Sequence, residues 1–400
     1  MTNPSNITKA SRLHPNIWIL SLTSLLTDVS SEMLANVLPL FLYNVLGVQT
    51  TVIGLIDGVA ETTASLIKVY SGRLSDQLGK RKGLAVLGYA LSTIAKPFLF
   101  FATSWGWVLG VRFTDRVGKG IRTAPRDALL AGSAQPDQRG LAFGLHRAGD
   151  TAGAFLGLAI AALIIWLTQS AASALSRHTF QLIVLASIIP AFLAVLILAL
   201  GARDVGTATG NKGDVPRLGW KALDRRFRIF LLVVVLFTLG NSSDSFIILR
   251  GQERSLSVLQ IMGMLMTFTA VYSLLSGPAG SLSDRIGRRK LILAGWLIYA
   301  LIYLGFALAR TGSQIWLLYG LYGVYYALTE GTAKALVADL VPQEQRGTAY
   351  GYFNAAIGLV ALPASLIAGA LWQWIDPAAP FAFGAVMALI AGTLFSLTLK

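Results

Sequence analysis

Arg112, Arg116, Lys119, Arg122 and Arg126 stand in the stretch RFTDRVGKGIRTAPRD (112–127), at intervals of four, three, three and four residues. On a helix that spacing places all five on one face. Two other apolar stretches hold acids that could answer them: Asp28 with Glu32, and Asp57 with Glu61. Each pair is four residues apart, again one helical face. An unpaired charge near mid-membrane costs at least ~2.5–3.5 kcal/mol, so the basic face must meet acids or water rather than lipid. Buried cations and carboxylates can hold ion pairs, and a carboxylate poised between desolvation and a nearby cation can take up and release a proton. Bond-making chemistry has no such constellation. No nucleophile–base pair stands out, no phosphate-cradling loop with its lysine is present, and His14, His146 and His178 have no metal-ligand spacing. The residues predict neither an enzyme nor a metal or cofactor site.

Height along the helices gives candidate partners. Asp28 lies near the depth of Lys119, Glu32 and Glu61 both near Arg116, and Asp57 near Arg112. Glu32 and Glu61 therefore compete for Arg116, and spacing does not choose between them. Asp115 and Asp150 are further candidates, whereas Arg126 and Asp127 lie close enough to a helix end to be surface charge. A static network that merely holds the helices together is the alternative to a functional one. The second half of the chain is quieter: Glu330 and Lys334 are again four apart, Tyr322, Tyr325 and Tyr326 stand where the basic face would be, and Asn241 and Asp244 lie in NSSDS (241–245).

The elements that must position these groups are membrane helices. Hydrophobic residues make up 54% of the 400, charged residues 13%, and the mean hydropathy is +0.64. A soluble chain carries about 25% charged residues, so this one cannot make a polar skin. Twelve apolar runs are readable, at roughly 16–46, 51–75, 83–103, 105–132, 140–168, 178–201, 227–250, 256–279, 290–310, 314–341, 347–373 and 379–399. Each reaches the ~20 residues a helix needs to span the hydrocarbon, and continuous runs such as IFLLVVVLF (229–237) do not fit the alternating strands of a barrel. The first run is too long for a signal peptide and lacks a small-residue cleavage pattern.

The net charge of +14 is placed for topology, not for nucleic acid. Lys80, Arg81 and Lys82, Arg285 to Lys290, and the basic residues of 202–228 fall in alternate loops, whereas the opposite loops hold Arg177, Arg250, Arg254 and Arg310. This asymmetry predicts both termini in the cytoplasm. The segment 202–226 is the one long hydrophilic stretch, a linker expected to end in a basic surface helix (KALDRRFR). It divides the chain into six-helix halves, 1–201 and 227–400.

The halves repeat each other. GRLSDQLGKRK (72–82) recurs as GSLSDRIGRRK (280–290), QRGLAFG (138–144) as QRGTAYG (345–351), and SSE (30–32) as SSD (242–244). Same-order repeats predict halves related by an axis along the membrane normal, with a solute path between them near the midplane. The duplicated loop resembles the motif between helices 2 and 3 of the major facilitator superfamily, and Arg-x-x-Lys-Gly (116–120) resembles that family's helix-4 motif with Lys119 in the glutamine position. The resemblance implies an all-α fold of twelve transmembrane helices in two pseudo-symmetric bundles. It also implies alternating access, with gating residues Gly72, Asp76, Gly79 and Arg81 in one copy and Gly280, Asp284, Gly287 and Arg289 in the other. In it, Asp76 and Asp284 latch neighbouring helix ends when the cavity faces outward. Gly140, Gly149, Gly153 and Gly157 match the family's antiporter motif on helix 5, with Ala154 in the proline position and Leu158 in place of the final glycine. Ordinary small-residue packing explains the same residues. The family's helices 1, 4, 7 and 10 line the cavity, which implies a charged N-terminal wall of Asp28, Glu32, Arg112, Arg116, Lys119 and Arg122, with Asp57 and Glu61 beside it. Facing it would be a mildly polar wall with Asn241, Asp244, Tyr326, Glu330 and Lys334. The pattern running through 115–127 also resembles a bacterial subgroup that includes magnetosome-associated members. The expectation is a monomeric secondary transporter of a bacterial inner membrane, moving a small molecule or ion, most simply by proton-coupled export. Proton-coupled import, or a non-transporting sensor or assembly protein on the same fold, are the alternatives.

Overall fold

Apolar runs longer than a bilayer core can satisfy their backbone groups in lipid only as helices. The computed structural model, which describes residues 13–78, 81–135, 138–205, 224–342 and 346–398, is helical in each run. We number twelve helical segments: α1 (Pro15–Val45), α2 (Thr50–Leu78), α3 (Arg81–Phe101), α4 (Trp105–Ser133), α5 (Arg139–Gln169), α6 (Arg177–Gly201), α7 (Arg225–Glu253), α8 (Val258–Ile286), α9 (Arg288–Leu308), α10 (Gly312–Asp339), α11 (Arg346–Trp374) and α12 (Ala379–Thr398). Nine of them are long and apolar enough to cross a membrane among the described residues; α2, α4 and α10, which carry most of the charged and tyrosine-rich faces, are the other three.

Three segments depart from regular helix, two of them at a proline that lacks a backbone donor. Pro39 precedes a π-helical turn, Phe41–Val45, in α1. Pro97 accompanies the change to a 3-10 helix, Lys96–Phe101, in α3. The ladder of α7 is interrupted over 241–244, and a second helical piece starts at Ser245. Freed backbone at membrane depth is tolerated where protein or a cavity surrounds it. The anticipated basic surface helix is not separate: Arg225 to Arg228 form the first turn of α7, capped by the Asp224 side chain, which accepts from the Arg226 amide at 2.6 Å. Residues 221–223 lie outside the described set.

Helices α1, α5 and α6 pack together, as do α2, α3 and α4; in the second half α8, α9 and α10 form one group and α7, α11 and α12 another, joined by α9 on α12. The first six helices meet the last six along α2 on α11 and α5 on α8. At the end opposite the termini the two sets are closed: a Cβ on Gly54 would come within 2.2 Å of the Ser365 carbonyl oxygen, and one on Gly58 within 2.7 Å of Leu362 Cα. Gln252 also donates across this end to the Ser173 carbonyl at 2.8 Å. At the end carrying the termini, Gly140 and Gly144 on α5, Gly277 and Gly280 on α8, and Gly351 on α11 have nothing within 4 Å of a built Cβ. Tyr70, Leu74, Leu141 and Leu282 are exposed there. The cleft between the sets opens toward the termini.

Candidate functional site

The basic face of α4 turns inward, but its members find different partners. Arg116, 8% exposed, reaches Glu61 of α2 at 3.2 Å and its neighbour Asp115 at 3.8 Å. Of the two carboxylates matched to it in height, Glu61 is the partner; Glu32 accepts instead from Asn36 Nδ2 at 2.8 Å, within α1. Arg112 faces Asp57 of α2 at 3.8 Å. Arg122 meets no acid among the described residues. It donates to Ser92 Oγ at 2.9 Å and lies over the Tyr89 ring at 4.5 Å, a cation–π arrangement in which α3 supplies the counter-surface. Lys119 is exposed, and among the described residues no carboxylate forms an ion pair with it. Arg126 is half-buried rather than at the surface: it holds Asp127 at 2.8 Å and reaches Ser24 of α1 at 3.4 Å. Asp28, Glu32 and Asp244 are partly buried with no ion-pair partner among the described residues.

The close approach of α3 to α4 depends on glycine. A Cβ on Gly88 or Gly118 would fall within 2.6 Å of the other's backbone oxygen, and this contact brings Ser92 and Tyr89 onto Arg122. Along α5, Gly149, Gly153 and Gly157 lie against the carbonyls of Ser21, Leu25 and Val29, with built Cβ distances of 2.9, 2.3 and 2.5 Å. The two registers of four match, so α1 and α5 pack backbone to backbone. Gly140 is not part of this seam.

Across the cleft, the tyrosines of α10 divide. Tyr322 and Tyr325 are buried within their own half, against Tyr299, Tyr303 and Phe237, so they do not replace the basic face as a wall. Tyr326 is only half-buried, and packs edge-on to Phe268. Tyr299 and Tyr322 each donate to Asn241 Oδ1 at 3.3 Å, fixing the break in α7. Glu330 takes Lys334 at 3.0 Å and, from the opposite half, Arg147 at 3.4 Å, with Tyr272 donating to the same carboxylate. In the second loop copy, Gly287 has φ +93°, a conformation glycine adopts without penalty. Asp284 pairs with Arg288 at 3.5 Å, which also holds Asp339 at 2.8 Å, and Arg289 donates to the Ser396 carbonyl. In the first copy, Arg81 donates to the Ala128 carbonyl at 3.0 Å and Gly72 lies beside Ala124. Gly79 and the Asp76 side chain lie outside the described residues.

Several site residues carried no clear signal in the sequence. Lys96, 4% exposed, donates to Ser30 and Ser31 of α1 at 2.6 and 3.2 Å; a lone lysine in an otherwise apolar run was the available clue. Arg147 spans the halves, and its only mark was a charge in a small-residue helix. His146 lies 3.8 Å from Asp150, which also accepts from Ser24. Arg250, read from sequence as loop charge, is 0% exposed and donates to the Phe306 and Ala307 carbonyls at the end of α9. No group of three potential metal ligands occurs among the described residues.

The family model described as Major Facilitator Superfamily matches residues 20–250 and 245–400. The chain belongs to this superfamily. It is 38% identical over 388 residues to an MFS-type transporter of Methanocaldococcus jannaschii, covering 96% of this chain and 94% of the relative. It is 24% identical over 382 residues to a multi-drug resistance efflux pump homologue of Lactococcus lactis, covering 91% of both. Among solved structures, the nucleoside transporter NupG aligns with a TM-score of 0.82 at 14% identity, over 96% of this chain and all of that one. This member of the superfamily is thus a multi-pass membrane protein and a secondary transporter rather than an enzyme.

Proposed function

We propose that this facilitator exports a small solute in exchange for protons, by alternating access across a bacterial inner membrane, with its termini in the cytoplasm. The observation that carries the reading is the pairing of Arg116 with Glu61 in a cleft that also holds Asp28, Glu32 and Asp244, which have no ion-pair partner among the described residues. Carboxylates free of fixed cations at membrane depth are the groups that can load and unload a proton. The halves 1–201 and 227–400 are the moving bodies, joined by 202–226, and the glycine seam of α5 on α1 keeps the first of them rigid. The efflux pump described for the Lactococcus lactis relative supports the outward direction. The positive-inside asymmetry supports a cleft facing the cytoplasm in this state. The protein acts as a monomer, with solute, protons and lipid as its partners.

Purified protein in proteoliposomes tests this. A pH gradient should accumulate one solute of a panel of drugs, organic anions, siderophores and metal ions against its own gradient; the last two are included because 115–127 resembles magnetosome-associated facilitators. Transport indifferent to both pH gradient and protonophore rejects proton coupling.

A further inference from the structure

Asp57 of α2 has partners in both halves of the molecule. Its Oδ2 accepts from Ser243 Oγ at 2.8 Å and Ser245 Oγ at 2.5 Å, both on α7. Its Oδ1 faces Arg112 Nη2, on its own side, at 3.8 Å. A relaxed guanidinium–carboxylate contact is about 2.7–2.9 Å, so the arginine is held off by roughly an ångström. The Arg112 Nε is also buried with no hydrogen-bond partner, although a buried donor left unsatisfied is costly. The serines are fully engaged and the arginine is not.

The two serines reach Asp57 because α7 is broken. Residues 241–244 are non-helical, and Ser245 opens the second helical piece. The break is fixed from behind by Tyr299 and Tyr322 on Asn241. In the repeat, Ser31 of the first half corresponds to Ser243; with its neighbour Ser30 it lies in unbroken helix, and both accept from Lys96 of their own half. Among the described residues, the second copy of the Ser-Ser-acid element is the one that binds across the interface, through Ser243, with Ser245 just beyond it adding a second hydroxyl.

We propose that Asp57 is a partner-exchanging gate that sets the balance between the two cleft states. In the state described, with the end opposite the termini closed, the carboxylate is tied to Ser243 and Ser245. When that end opens, α7 withdraws the hydroxyls, and Arg112 closes onto the carboxylate and satisfies its own donors. Each state leaves a different group short of partners, which is how a small local exchange can bias a two-state element. The inference rests on the alternating-access reading and adds to it the residues that weigh the two states.

The sequence contains no cysteine, so spin labels at Ala171→Cys and Arg310→Cys, exposed positions in opposite halves at the closed end, report opening there without a background. Pulsed electron–electron distances should show a short and a long population. Ser243→Ala/Ser245→Ala should raise the long fraction at least threefold, and Arg112→Gln should lower it. Opposite shifts are the signature, because a loss of packing alone would move both variants the same way. Where Arg112→Gln does not fold, Arg112→Lys, which cannot form the forked contact, should shift the balance in the same direction. Unchanged populations, or shifts of one sign in both variants, overturn the gate while leaving alternating access standing. A single fixed distance in the parent chain, at acidic and at neutral pH, overturns both.

Discussion

Arg116 and Glu61 lie 3.2 Å apart, the arginine covered by protein and the glutamate side chain 51% exposed toward the cleft. This is an ion pair with one dry and one wet end. Removing one partner of a fully buried pair commonly costs ~3–5 kcal/mol; here the cost falls toward the lower end because Glu61 can regain water. Arg116→Ala should lower thermal stability in detergent and abolish counterflow. Adding Glu61→Gln should restore stability, and adding Glu32→Gln should not. Transport should stay lost in both double variants. A double variant that transports like the parent would make the pair structural.

The seam between α1 and α5 gives a second expectation. Gly153→Ala places a methyl within 2.3 Å of the Leu25 backbone oxygen, and overpacking of this kind typically costs about 1–3 kcal/mol. Gly140→Ala, with nothing nearby, should leave the melting temperature unchanged. Equal effects of the two substitutions would refute the seam.

Asp284 offers a third. Its side chain is 70% exposed and 3.5 Å from Arg288, so the pair should add little stability, about 0–1 kcal/mol. Asp284→Asn should melt with the parent yet interconvert more slowly, because a loop latch matters when the cleft closes at this end. Asp76→Asn should do the same. Turnover equal to the parent in both variants would show that the loops serve topology alone.

Much of this was readable in advance, for physical reasons that also mark the limit. Helix lengths follow from the apolar runs, and the spacing of Arg112 and Arg116 against Asp57 and Glu61 gave matching heights. Height is set by rise per residue, but the choice between Glu32 and Glu61 depends on how α1 and α2 are rotated and packed about α4. That depends on glycine contacts such as Gly120 of α4 on Ile67 and Ala64 of α2, which pairwise spacing does not reveal. The basic face needs acids or water by its spacing alone, which names no partner for Arg122; an aromatic face and a serine on α3 hold it. Tyr322 and Tyr325 turn into their own bundle, where they pack among the rings of Phe237, Tyr299 and Tyr303. The serines on Asp57 come from the other half, and the Arg147 contact with Glu330 likewise crosses between halves. Such contacts belong to one conformation of the cleft, which no local pattern encodes.

The most direct test of the account is the reverse coupling. Proteoliposomes containing a lumenal pH indicator, with no initial pH gradient, receive the transported solute on the outside. Exchange predicts that solute entry drives protons out, so the lumen turns alkaline, at a rate abolished by Arg116→Ala. Acidification of the lumen would mean symport, and solute entry with no pH change would contradict proton coupling altogether.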